Sequence, residues 1–225
     1  YMYLCVCVCV CVCVCVCVCV LLTSSEATPF NNLLDIGAGD GNVTAQLAKL
    51  FSGKVYATEY SAVMQWRLRM KGYECLSIGG WHNADVGPFD VISCFNVLDR
   101  CDEPTTLLEQ MRDNVTPVTG RVLLAIVLPF NPFVEAGSSK LKPKQKLKVD
   151  NCCPECGVNS LVKNVFEPLG FHVESYSRAP YLCDGDMLKP YYLLHDYIFC
   201  LSVPATTPNT QVPPRVDTQS NTSDS

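Results

Sequence analysis

The chain has 225 residues and a formal net charge of −5. Setting aside its low-complexity ends leaves about 180 residues, room for one domain with a sizeable core. The acidic balance argues against a general nucleic-acid binder and leaves space only for a local basic patch.

The 16 cysteines would ordinarily raise a disulfide framework, but eight of them lie in one repeat between Cys5 and Cys19. The others are Cys75, Cys94, Cys101, Cys152, Cys153, Cys156, Cys183 and Cys200. Several sit in apolar runs and have the character of small core residues, which suits a reducing, intracellular compartment. Cys5 to Val20 is a strict Cys-Val alternation. Tyr3 to Leu22 is long enough by hydropathy to span a bilayer. However, a single membrane strand cannot close into a barrel, and β-branched valines make a poor helix. A TG dinucleotide repeat read in triplets alternates the codons for Cys and Val. The tract is therefore expected to be translated repeat DNA, ahead of a membrane or signal-like segment or a metal-binding tract. No firm membrane span follows from it. Residues 1–30 are taken as this tract and its polar linker, 31–203 as the folded domain, and 204–225 as a disordered polar tail.

The domain opens with Leu33 to Ile36, an apolar run that meets Gly37-Ala38-Gly39-Asp40-Gly41. This is the pattern of a buried parallel strand feeding a nucleotide-binding loop. Asn42 to Phe51 is expected as a helix ended by Gly53, and Lys54 to Thr58 as a second strand that stops at Glu59. A carboxylate there can accept hydrogen bonds from both ribose hydroxyls of an adenosine. The spacing G-x-G-x-G fits S-adenosylmethionine, whereas dinucleotide enzymes favour G-x-G-x-x-G, and Asn42 stands where their third glycine would be. Ser61 is expected to cap a helix carrying Val63, Met64, Trp66, Leu68 and Met70. Tyr73 to Ile78 reads as a third strand. Trp81 in the following loop suits either an adenine pocket or the core.

Phe89 to Phe95 is the fourth expected strand, followed at once by Asn96 and Asp99. Ligands of open α/β sheets bind beyond the carboxyl ends of the strands, so both residues fall beside the glycine loop. A helix from Pro104 to Val115 and a buried strand from Gly120 to Leu128 come next. Pro129 to Asp150, with Lys140, Lys142, Lys144, Lys146 and Lys148, is expected as a solvated mobile loop, with partner docking as the other reading. Leu161 to Leu169 should be helical. Phe171 to Ser177 and Tyr191 to Val203 should be two final strands, with Pro180 to Asp186 in a loop that could cross the pocket. Cys153-Pro154-Glu155-Cys156 resembles half of a zinc ribbon. No second C-x-x-C exists outside the repeat, so no metal centre is expected.

Residues from about Asn31 to Val203 together resemble the DREV-type methyltransferases, also called methyltransferase-like protein nine. The resemblance is carried by Leu34 to Gly41, Tyr56 to Glu59, Asp90 to Cys94 with Asn96-Val97-Leu98-Asp99-Arg100-Cys101-Asp102, Leu128-Pro129-Phe130, and Pro180 to Met187. The Leu-Asp-Arg-Cys-Asp and Pro-Tyr-Leu-Cys stretches are the specific ones. It implies an α/β, class I, Rossmann-like fold with a mostly parallel seven-stranded sheet and helices on both faces. It also implies S-adenosylmethionine as cofactor and methylation of protein histidine at the pros nitrogen in His-x-His sequences with x small. Glu59, Asn96 and Tyr181 match cofactor-contacting positions, and Asp99 matches a position at the substrate imidazole. The candidate cofactor set is thus Asp35, Gly37, Ala38, Gly39, Gly41, Glu59, Asn96 and Tyr181, with Asp99 and Asn96 as the catalytic pair. Protein substrates carrying His-x-His would be the partners, and the family associates with the endoplasmic reticulum and mitochondria. The family has a long amino-terminal region where this chain has the Cys-Val tract, and an acidic, tryptophan-containing helical stretch where it has Asn151 to Gly157. The other readings are a methyltransferase of a different substrate class and an inactive SAM-binding module.

Overall fold

A computed structural model describes residues 30–136, 139–184 and 190–205. The Cys-Val tract and the polar tail lie outside these residues, apart from residues 30, 204 and 205, as do Gly185, Asp186 and Met187.

Period-two apolar patterning builds the centre of the molecule. Strands β1 (Leu33–Ile36), β2 (Val55–Thr58), β3 (Glu74–Cys75), β4 (Val91–Phe95) and β5 (Arg121–Val127) run parallel. Leu34, Ile36, Ile92, Cys94, Leu124 and Ile126 face one layer, and Leu33, Val91, Leu123 and Ala125 face the other. Burial on both faces is what a parallel sheet requires. Helices α1 (Asn42–Leu47), α2 (Ala62–Met70), α3 (Pro104–Asn114) and α4 (Pro154–Leu161) cover it. Leu47 of α1 seals one face, while Leu108 and Met111 of α3 and Val158 and Leu161 of α4 seal the other. The small pair β6 (Val134–Ala136) and β7 (Ser139–Leu141) stands apart. The chain then adds β8 (His172–Asp184) and β9 (Tyr191–Ser202), giving the order β3-β2-β1-β4-β5-β9-β8. β9 is antiparallel to both its neighbours. The seven-stranded, mostly parallel, Rossmann-like sheet is the one expected.

Several elements differ from expectation. The third strand shrinks from Tyr73–Ile78 to two residues, because it is an edge strand with β2 as its sole neighbour. Trp66 and Met70 are exposed and Leu68 alone is buried on α2, which packs at that same edge. The last helix begins earlier, at Pro154, and widens into a π turn over Val162–Phe166. Pro180 to Asp184 is strand, not loop: β8 pairs with β9 as far as Asp184 opposite Tyr191. β8 is the outer edge, where a proline removes no ladder bond that the sheet needs.

The lysine-rich stretch is fastened. Lys142, Lys144, Lys146 and Lys148 face solvent, whereas Leu147 and Val149 between them pack on the core. Glu103 supplies no side-chain cap for α3, and the Gln145 side chain does so instead, accepting from the Thr105 and Thr106 amides at 3.0 and 3.1 Å. Lys144 adds an ion pair to Asp102 at 2.6 Å.

Candidate active site

The glycine turn is shaped from both sides. Gly37, Gly39 and Gly41 have φ of 72°, 57° and 75°. The amides of Gly37 and Ala38 donate to the Thr58 carbonyl at 3.0 and 3.1 Å, tying the turn to the end of β2. A Cβ at Gly37 would lie 2.4 Å from the Val97 methyl, so the side chain is excluded by the loop after β4. A Cβ at Gly39 would meet nothing within 4 Å. The loop therefore has its open side at Gly39. The Gly39 amide donates to one Glu59 carboxylate oxygen at 2.9 Å, and the Ser61 amide to the other at 3.0 Å. Glu59 is thereby fixed beside the turn, with a lone pair left on each oxygen.

Asp35 has a different part. It is buried, and its two oxygens accept from the Thr44 hydroxyl at 2.5 Å and the Ser93 hydroxyl at 2.7 Å. Burial pushes its pKa up to about 6, against the pull of those two hydroxyls. The geometry makes Asp35 the pin that holds β1, α1 and β4 together under the loop, rather than a direct contact. Trp81 is likewise core: it is buried in the cluster with Tyr56, Phe89 and Leu108, which overturns the adenine-pocket reading.

Beyond β4 the backbone turns sharply at Asn96, whose φ is 57°. Its amide donates to the Ala125 carbonyl at 2.9 Å, and its side-chain nitrogen donates to Asp196 at 3.0 Å. Asp196 is an acid that sequence reasoning missed. It sits on β9 opposite Val127, on the face otherwise lined by Ile198 and Cys200, and is 1 % exposed. The remaining oxygens, Asn96 Oδ1 and Asp196 Oδ1, are buried with no hydrogen-bond partner among the described residues. Buried acceptors are ordinarily satisfied, so this pair is one that awaits a donor. Burial drives the Asp196 pKa up to about 6; the Asn96 hydrogen bond pulls it down, and the charge of Asp99 raises it further. Asp99 is nearly buried, and desolvation raises its pKa, partly offset by the Arg100 guanidinium. The Asp99 carbonyl accepts from the Phe133 amide at 2.9 Å, and Arg100 stacks on the Phe133 ring at 3.8 Å. The segment after β5 thus braces the loop that bears Asp99. Tyr181 stands on β8 opposite Leu194, two residues along from Ala179, the partner of Asp196.

A glycine turn, an acid at the end of β2 and a polar cluster made by the end of β4 and the middle of β9, where β9 passes the end of β5, therefore meet at the carboxyl edge of one sheet. The family model for DREV methyltransferases matches residues 20–203. The chain belongs to the DREV methyltransferase family. It is a S-adenosylmethionine-dependent methyltransferase with the class I fold. Solved structures agree on the fold. A precorrin-6y C5,15-methyltransferase from Geobacter metallireducens is 13% identical, over 82% of this chain and 85% of that one, with a TM-score of 0.50. TehB from Haemophilus influenzae is 11% identical, over 81% and 61%, with a TM-score of 0.51. The [4+2]-cyclase SpnF is 13% identical, over 82% and 79%, with a TM-score of 0.51. A cyclase on this fold is a reminder that the site, not the sheet, sets the reaction. The residues present fit the cofactor: the turn is open at Gly39, Glu59 keeps acceptor capacity beside it, and Asn96 offers a buried oxygen that has no donor among the described residues. Among the described residues no helix is long and apolar enough to cross a membrane.

Proposed function

We propose that residues 31–203 form a protein-histidine methyltransferase domain that places a methyl group on the pros nitrogen of histidine in His-x-His sequences with x small. The observation that carries this reading is the acceptor-rich cluster of Asn96, Asp99 and Asp196, two of whose buried oxygens have no donor among the described residues. An imidazole N–H finds an acceptor in the Asp99 carboxylate of this cluster, and the ring turns cationic when methylated beside its acids, so the cluster suits it in both respects. The resemblance of the Leu98 to Asp102 and Pro180 to Cys183 stretches to this histidine-modifying family supports the same substrate. Acting on proteins at the endoplasmic reticulum and mitochondria belongs to this reading.

S-adenosylmethionine, when bound, supplies a methyl group already activated on a positively charged sulphur. The chain has then to bind, align and exclude water. Glu59 accepts the ribose hydroxyls, Gly37, Ala38, Gly39 and Gly41 line the turn, and Asn96 and Tyr181 complete the contacts. A histidine with a reference pKa of about 6.5 is mostly neutral at pH 7, so a strong base is not required. Asp99 accepts the tele N–H, which fixes the tautomer that leaves the pros lone pair free. As the methyl is accepted, the ring gains a positive charge beside the Asp99 carboxylate. Loss of the tele proton to that carboxylate, and from it to water, releases neutral methylhistidine. The Arg100 guanidinium partly offsets the burial that raises the Asp99 pKa and so favours the carboxylate form. Asp99→Asn is expected to lower kcat by roughly a hundredfold or more, the usual scale for a lost acid–base group, with little change in the affinity for S-adenosylmethionine. Equal losses in both would remove Asp99 from this role.

A further inference from the structure

The sequence Cys152-Cys153-Pro154-Glu155-Cys156 enters α4 and has no part in the site above. Cys153 is the extended N-cap, with φ −155° and ψ 163°, and Pro154 takes the first helical turn. The Cys156 amide donates to the Cys153 sulphur at 3.1 Å, and the two sulphurs lie 2.7 Å apart. With Cys152, all three sulphurs fall within 4.8 Å of one another. Cys152 is exposed, and the other two are half-buried, in contrast to the core thiols Cys94 and Cys200.

The backbone beneath them is held from several sides. Asp150 accepts from the Cys152 amide at 2.9 Å, and the Asp150 amide donates to Ser160 at 2.8 Å. Asn151 bonds both the amide and the carbonyl of Phe130 at 2.8 Å. A Cβ at Gly157 would come within 3.0 Å of Leu128, so α4 sits hard against the segment after β5. Three convergent sulphurs on an anchored turn open to solvent make a soft-donor cluster.

We propose that Cys152, Cys153 and Cys156 form a three-sulphur site for a thiophilic divalent ion of the zinc and cadmium class, with the fourth position left to water or an outside ligand. Zinc–sulphur bonds of about 2.3 Å place tetrahedral sulphurs about 3.8 Å apart. Cys153 and Cys156 hold their sulphurs at 2.7 Å, closer than that figure, and all three lie within 4.8 Å, so small side-chain rotations bring them to metal-binding spacing. On binding, three S–H bonds give way to three sulphur–metal bonds, and three protons pass to solvent. The absence of a second C-x-x-C, which argues against a closed four-ligand zinc ribbon, does not bear on a site with an open position.

The test is a cadmium titration of the reduced full-length chain under anaerobic conditions, following the ultraviolet thiolate-to-cadmium band against a competing chelator. The remaining cysteines also take up cadmium, so the comparison is with the Cys152→Ser, Cys153→Ser, Cys156→Ser triple variant. Wild type is expected to take up one further tight equivalent, and Cys152→Ser alone to weaken that equivalent by at least about tenfold. Zinc should displace the cadmium from it. Retained S-adenosylhomocysteine binding verifies that the variants fold, and Cys152, being exposed, serves if the triple variant does not. Equal uptake by wild type and variants, or an extra equivalent indifferent to Cys152→Ser, would overturn the three-sulphur site.

Discussion

Replacing Glu59 with alanine removes the acid at the end of β2 while leaving the sheet intact, since among the described residues its carboxylate bonds only the Gly39 and Ser61 amides. Each oxygen keeps one lone pair for a ribose hydroxyl. A hydrogen bond to a charged group contributes about 1.5–3 kcal/mol, and this half-buried position argues for the lower end. Two such bonds amount to about 3 kcal/mol, or about a hundredfold in Kd at 1.4 kcal/mol per decade. Untethering the Gly39 amide adds to that loss. Calorimetric titration with S-adenosylhomocysteine reads the affinity, and a thermal melt of the ligand-free protein reads the fold. Glu59→Gln, which keeps the volume and one acceptor, should fall between wild type and alanine. An alanine variant that melts normally and binds within about threefold of wild type would refute the reasoning, because the carboxylate would then face no ligand.

The glycines separate fold from binding. Gly39→Ala, with open space around its Cβ, should cost only the roughly 1–2 kcal/mol of a left-handed residue in urea unfolding, yet weaken cofactor binding. Gly37→Ala drives its methyl into Val97 and should unfold more easily; the reverse ranking would contradict the geometry. The stability of the fold should also record Asp35. Its pKa rises from 3.8 to about 6 on folding, so the folded state holds that proton more tightly. Its contribution is full below pH 3.8 and is lost as the pH rises through about 6, a change of about 3 kcal/mol at 1.36 kcal/mol per pH unit. Asp35→Asn removes this dependence, so wild type should lose stability relative to the variant between pH 4.5 and 7. A difference that stays constant across that range would show that Asp35 does not titrate there.

The strands were legible because each central one is an apolar run of a length that only a doubly buried sheet can use, and the loop was legible because three glycines and an acid recur at fixed distances. Local signals account for Gly37, Gly39, Glu59, Asn96 and Asp99, all within a few residues of a strand end. Asp196 was not legible. It is one acid inside an apolar strand, and its meaning comes from Asn96, 100 positions away, across the sheet. Gln145 capping α3 is a contact of the same long-range kind. The lysine stretch carried a usable clue, since lysines alternate with Leu147 and Val149 over residues 142–150, a strand-like rhythm in a part of the stretch that forms no strand. Pro180 misled because a proline breaks a central strand but not an edge, and nothing local announces which of the two it occupies.

The most direct measurement is methyl transfer itself. The chain would be incubated with labelled S-adenosylmethionine and a His-Ala-His peptide, beside an Ala-Ala-Ala control, and the product mapped by mass spectrometry with pros and tele isomers resolved. The account predicts label on the pros nitrogen of the histidine peptide and none on the control. Label on the tele nitrogen, or no transfer from a folded chain that binds S-adenosylhomocysteine, would contradict it.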